Sequence, residues 1–178
     1  MKTYKAPWGR MLKATSIVVT LICVGVSVIS AVSLPEVHVL THVAAVWMPL
    51  VILLGCVPFV VRSYAIADDA ILIRRLFWDT RLELAGLKSA EVVPAAMRGS
   101  IRTCGNGGGF SITGWYWSKR LGAYRAFVTD LNRTVVLVFA KRKVVISPED
   151  PEDFVAALNG RLEAARAGHG GTVPANPS

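Results

Sequence analysis

The chain has 178 residues, a formal net charge of +8 and a mean hydropathy of +0.47. That hydropathy is high for a wholly soluble domain, and the apolar residues concentrate near the N-terminus, so the composition points to membrane segments plus one small domain. The three cysteines form no CxxC pair, which argues against a zinc site and against a disulfide framework.

Residues 1–13 are a basic flank carrying Lys2, Lys5, Arg10 and Lys13. The run at 14–34, "ATSIVVTLICVGVSVISAVSL", holds no charge. About 21 helical residues at ~1.5 Å each span ~30 Å, one hydrocarbon core. A cleaved signal peptide is the competing reading, since "AVS" at 31–33 resembles a cleavage site. The run is longer than a usual signal core, which favours a retained helix. Residues 35–42 are predicted as an external loop without Lys or Arg, and 43–61 as a second charge-free helix kinked by Pro49 and Pro58. Ser33 and Pro35 also suit an earlier start for that helix. Arg62, Arg74 and Arg75 follow it, so the positive-inside rule places both termini in the cytoplasm. Trp8 and Trp47 suit the interfaces, and Cys23 and Cys56 suit small apolar positions within the helices.

From Ser63 the pattern changes to short alternating runs. "SYAIADDAILIRRLFW" reads as strand, Asp68-Asp69 turn, strand; "DTRLELAGL" and "KSAEVVP" each carry a further strand. Residues 95–113 read as irregular. Strands resume in "GWYWSKR" (114–120), paired with "GAYRAFVTD" (122–130), then "VVLVFA" (135–140) and "VVIS" (144–147). Sequential short strands joined by polar turns predict an antiparallel sandwich or small barrel. A closing helix has two overlapping start signals, Ser147 with Asp150 and Asp150 with Asp153. Its Phe154, Leu158, Leu162 and Ala165 share one apolar face. Residues 168–178 lack a core pattern and are predicted as a disordered tail.

The ordered pieces "YAIADDAILIRR", the glycine-rich middle, "AYRAFVTDLNRTVVLV" and "SPEDPEDF" resemble the bacterial PH-like domain families of small membrane proteins. The resemblance covers about Arg62 to Ala165. It implies a seven-stranded PH-type sandwich capped by a C-terminal helix, within a domain over 62–167, in a multi-pass protein of the bacterial inner membrane. It implies no known enzyme activity and no established ligand.

The run "RTCGNGGGFSITGWYW" at 102–117 invites a phosphate-loop reading. Gly109 and Gly114 have Walker A spacing, but Trp115 and Tyr116 stand where Lys and a hydroxyl residue are needed. No helix follows to offer its amides, so a connector or bulged hairpin is expected. Aromatics in "GWYW" next to Lys119 and Arg120 could stack on single-stranded nucleic acid. A core strand explains the alternation as well, and the membrane tether argues against nucleic acid. The histidines are His38, His42 and His169, which leaves the β domain without one for a hydrolytic triad. His38 and His42 are read as interfacial rather than as metal ligands.

Charge is more informative. Arg98, Arg102, Lys119, Arg120, Arg125, Arg133, Lys141, Arg142 and Lys143 face only Asp130 across that stretch. Each exposed cation near an anionic leaflet contributes ~1 kcal/mol. Candidate lipid- or partner-contacting residues are therefore Arg98, Arg102, Lys119, Arg120, Arg125, Lys141, Arg142 and Lys143. The first hairpin, where eukaryotic PH domains often bind inositol phosphates, is acidic here at Asp68-Asp69, so that motif does not carry over.

The expected protein is non-catalytic, with no cofactor and no metal. It presents its domain to other membrane proteins, to a second copy of itself or to anionic lipid. The alternative is a small-ligand receptor or enzyme with a pocket under residues 102–117, for which Arg102, Arg125 and Tyr116 come first.

Overall fold

Strand β1 (Lys2–Lys5) was not expected from the sequence. It pairs antiparallel with β2 (Ser63–Ile66), Lys5 opposite Ser63 and Lys2 opposite Ile66. These contacts come from a computed structural model that describes residues 1–33, 38–107 and 109–169. Four residues carry too little periodicity to announce a strand, and what they cover decides the matter. Tyr4 is buried, its ring meets Phe154 edge-on at 5.1 Å, and its hydroxyl donates to Asp153 Oδ2 at 2.8 Å. Lys2 Nζ donates to the same oxygen at 2.5 Å. The chain then stays bound to the domain: Ala6 N donates to Arg62 O at 3.1 Å and Gly9 N to Thr129 O at 2.9 Å.

Helix α1 (Arg10–Ser33) starts four residues before the predicted run, and α2 (Val39–Cys56) starts at Val39 with His38 at the cap position. Residues 39–42 of the predicted loop thus become helix, and residues 34–37 lie outside the described residues. Helix α2 runs through Pro49, while Pro58 marks its conversion to a 3-10 turn at Val57–Phe59. The two helices pack on each other. Leu12, Ser16, Ser27 and Ser30 are the buried residues of α1. The first two lie at the β domain, Leu12 near Met97 and Ser16 at Phe110. Thr20 and Ser27 donate back to Ser16 O and Cys23 O at 2.8 and 2.9 Å, so these hydroxyls carry no unmet donor. The remaining faces expose Ile17, Leu21, Ile29, Trp47, Ile52 and Leu54. Only 17% of the apolar window of α1 and 0% of that of α2 is buried, unlike the core helix of a soluble domain.

Beyond α2 lie β2, β3 (Ala70–Arg74), β4 (Asp79–Glu83), β5 (Leu87–Val92), β6 (Ile101–Gly107), β7 (Ile112–Ser118), β8 (Gly122–Val128), β9 (Val135–Phe139) and β10 (Lys143–Ile146). They form two sheets, ordered β1-β2-β3-β4 and β5-β9-β10-β8-β7-β6. The two-sheet architecture follows the expectation; the details depart in three places. The segment 95–113 contains β6. The described residues form ten strands, including β1, rather than seven. And β10 lies parallel to β8, Val144 opposite Arg125, because the β9–β10 hairpin pairs outward with β5 through β9.

Helix α3 (Pro151–His169) closes the core, with Phe154 and Leu158 buried against Tyr64, Ile66, Leu137 and Ile146. Of its two predicted start signals only the second operates: Asp153 N donates to Asp150 Oδ1 at 3.1 Å. Ser147 is fully buried, and its Oγ accepts from Thr129 N at 2.8 Å and Asp130 N at 3.2 Å instead. The helix reaches His169 and so takes in 168 and 169 of the predicted tail; residues 170–178 lie outside the described residues. A second apolar cluster, containing Met97, Tyr116, Tyr124 and Val136, covers the other face of the larger sheet.

Candidate anion-binding site

Strand β2 leads away from the end of α2 and β3 returns to it, so the turn 75–78 lies back beside Phe59. Arg75 N donates to Trp78 O at 3.2 Å, and the rings of Phe59 and Trp78 meet edge-on at 5.5 Å. Leu76, Phe77 and Trp78 are exposed around this turn.

The larger sheet reaches the helices through the β6–β7 hairpin. Ser111 Oγ donates to Phe59 O at 2.9 Å, and Phe110 N donates to Ser16 Oγ at 3.1 Å. The glycine run is what lets this hairpin bend. Gly105 and Gly114 face each other across the ladder at φ +113° and +142°. A Cβ at either would run into the backbone of the opposite strand. Substituting Gly114 by alanine is expected to cost about 1–3 kcal/mol of local strain. Amide exchange should then accelerate over 101–118 and stay unchanged in α3; uniform protection would contradict the tight pairing.

Between the hairpin, the 75–78 turn and the end of α2 lies a cleft of about 430 Å³. Arg75, Arg102 and Arg125 line it, together with Gly55, Phe59 and Phe127. The guanidinium groups of Arg75 and Arg125 lie 5.0 and 4.9 Å from the centre of the Phe127 ring. Arg75 also lies over Trp78 at 5.5 Å, and Arg125 over Trp115 at 5.9 Å. Among the described residues none of the three arginines has a carboxylate partner, and Arg75 Nε is buried without an acceptor. Burial holds the Arg75 guanidinium below its usual pKa, and repulsion from Arg125 adds to this. Cations held by aromatic faces without a counter-charge make a site whose missing partner is an anion.

The sequence-predicted residues separate. Arg102 and Arg125 join the cleft. Tyr116 does not line it: its hydroxyl donates to Asn106 O at 3.1 Å and its ring stacks on Tyr124 at 6.0 Å. Burial raises its pKa, opposed by Arg102. Lys119 and Arg120 occupy the β7–β8 turn, with Lys141, Arg142 and Lys143 in and beside the β9–β10 turn. Lys143 Nζ reaches Leu121 O at 2.8 Å, so these two turns are neighbours. Both lie at the end of the larger sheet away from the helices, because β7 enters beside Phe59 and leaves at Ser118. Arg98 lies apart from both groups, lining a second cleft of about 350 Å³ near Arg10 and Asp130. The Asp68-Asp69 turn is also remote from the helices; its carboxylates pair with Arg161 and Arg81. The described residues contain no cluster of three or more metal-ligating side chains.

Arg75 is the residue the sequence reading missed as a site. Its available signal was "RRLFW": two arginines directly before exposed aromatics, in a turn that follows a charge-free helix by fewer than twenty residues.

A bacterial PH domain family model matches residues 62–162, which run from just before β2 through β10 and into α3. No curated protein and no solved structure matches the chain.

Proposed function

The chain belongs to the bacterial PH domain family, and from that premise we propose that it is a non-catalytic, multi-pass protein of the bacterial inner membrane. Its PH-like domain is held at the cytoplasmic face as a binding and assembly module. The observation that supports this most is the strand pairing of β1 with β2. Residues on either side of the helix pair share one sheet, so the chain leaves and returns on the same side of the bilayer. Lys2, Lys5 and Arg62 flank the two helices at that end and Arg10 and Lys13 sit in the first turn of α1, and the positive-inside rule makes it the cytoplasm. The exposed Leu76, Phe77 and Trp78 fit a belt at the headgroup level. Partners are other membrane proteins, a second copy or anionic lipid, reached through the open sheet edges or the cationic surfaces.

The cleft also gives the ligand-binding alternative a place. Among the described residues no histidine or carboxylate lines it, and arginine stays protonated at neutral pH. It therefore suits ion pairing better than acid–base chemistry.

The orientation is tested with Lys5→Cys and Lys141→Cys, each in a Cys104→Ser background. A membrane-impermeant maleimide is expected to label neither in intact spheroplasts and both after lysis. Labelling of either before lysis, or release of the protein from membranes by carbonate, would overturn the proposal.

A further inference from the structure

We propose that the cleft lined by Arg75, Arg102 and Arg125 binds the phosphate of an anionic phospholipid, and so reads the composition of the surrounding leaflet. This rests on the membrane-spanning reading above and names the site and ligand within it.

The charge supply comes first. Three arginines share one cleft, and none has a carboxylate partner among the described residues. Elsewhere among the described residues Lys2 pairs with Asp153, Arg81 with Asp69, Arg133 with Asp130 and Arg161 with Asp68, whereas the three cleft arginines gather with no acid beside them. Guanidinium groups match phosphate oxygens in pairs, and such charge-assisted bonds are the strong ones. The Nε of Arg75 is buried without an acceptor, so this guanidinium has a hydrogen-bonding need that the described residues do not meet.

The cleft's form points to a lipid rather than a free anion. Its volume of about 430 Å³ exceeds what a bare phosphate fills and lies in the range of organic ligands. One wall is the end of α2 and the 3-10 turn after it, through Gly55 and Phe59, and Phe127 also lines the cleft. In a spanning helix those turns reach the headgroup level, beside the Leu76–Trp78 turn. A glycerophosphate can enter there while its acyl chains remain beside α2. The Lys119, Arg120 and Lys141–Lys143 group is also cationic but sits at the far end of the sheet, so it serves as an internal control.

The experiment uses the full chain in phosphatidylcholine nanodiscs doped with phosphatidylglycerol. Lipid retained after transfer to detergent is read by native mass spectrometry. Phosphatidylglycerol is expected to be enriched about tenfold over phosphatidylcholine, the factor expected for a single charge-assisted contact. The enrichment should vanish in R75Q/R125Q and persist in K119Q/R120Q. R102Q, at an exposed position, should reduce it and provides a variant that leaves the aromatic packing intact. Equal loss in the K119Q/R120Q control would reduce the effect to net charge and overturn the site. Displacement of phosphatidylglycerol by millimolar inorganic phosphate would make it a soluble-anion site and overturn the lipid assignment. A chain that stays in the nanodisc without enrichment refutes the inference alone, whereas failure to enter the nanodisc refutes the spanning reading.

Discussion

Replacing Tyr64 with alanine is expected to destabilise the domain by about 3–5 kcal/mol, as for other buried aromatic truncations. Tyr64 is fully buried in the core between the sheets. Its hydroxyl donates to Phe127 O at 2.6 Å and accepts from Ser147 N at 3.3 Å. Ser147 Oγ in turn accepts from the Thr129 amide at 2.8 Å. One side chain thus joins β2, the end of β8 and the exit of β10. Tyr64→Phe keeps the ring and strands these polar groups, so a smaller loss of about 1–3 kcal/mol is expected. The hydroxyl also predicts an alkaline limit. Burial pushes its pKa from 10.0 up to about 12, so the folded state holds this proton more tightly than the unfolded chain. Its contribution is intact below pH 10 and declines by ~1.4 kcal/mol per unit as the pH rises toward 12. Tyr124 is shifted in the same direction, chiefly by burial. Thermal unfolding in detergent, followed by circular dichroism with tyrosinate absorbance, measures both effects. A Tyr64→Ala protein that melts with the parent would refute the buried node.

The second large effect is expected at the N-terminus. Tyr4→Ala should detach β1 and cost about 3 kcal/mol or more, since the ring is packed in the main core. Detachment would uncover the edge of β2 and one side of Phe154. A Lys5→Cys/Ser63→Cys pair should cross-link under oxidation in the parent and fail to do so with Tyr4→Ala. Efficient cross-linking in both would show that β1 is held without Tyr4. Acidification should loosen the same contact more gently. The bonds from Lys2 and then Tyr4 hold Asp153 below its ordinary carboxylate pKa. Their contribution is present above the ordinary carboxylate range and is lost as the pH falls through the lowered value.

Much of this architecture was legible because it is local. The charge-free runs, the Asp68-Asp69 turn, the short apolar runs of β7 through β10 and the Asp150 cap each need only a few neighbouring residues. Strand β6 was not legible, since nearly all of its residues are exposed and no alternation marks a buried face. Gly105, and Gly114 opposite it on β7, read as looseness, whereas in the sheet they permit a close pairing. The basic residues were recognisable as a group but not as two, because sequence proximity does not say which end of a strand faces the helices.

By itself the sequence determined the two apolar helices, the β-rich domain after them, the closing helix and the cationic surplus, all carried by composition and short-range periodicity. Only the tertiary structure decided that Lys2–Lys5 completes the first sheet, that β10 runs parallel to β8, and that Arg75 joins Arg102 and Arg125. Each of these depends on contacts between residues far apart in the chain, selected by which surfaces can be buried together. Periodicity within a segment carries no record of that choice.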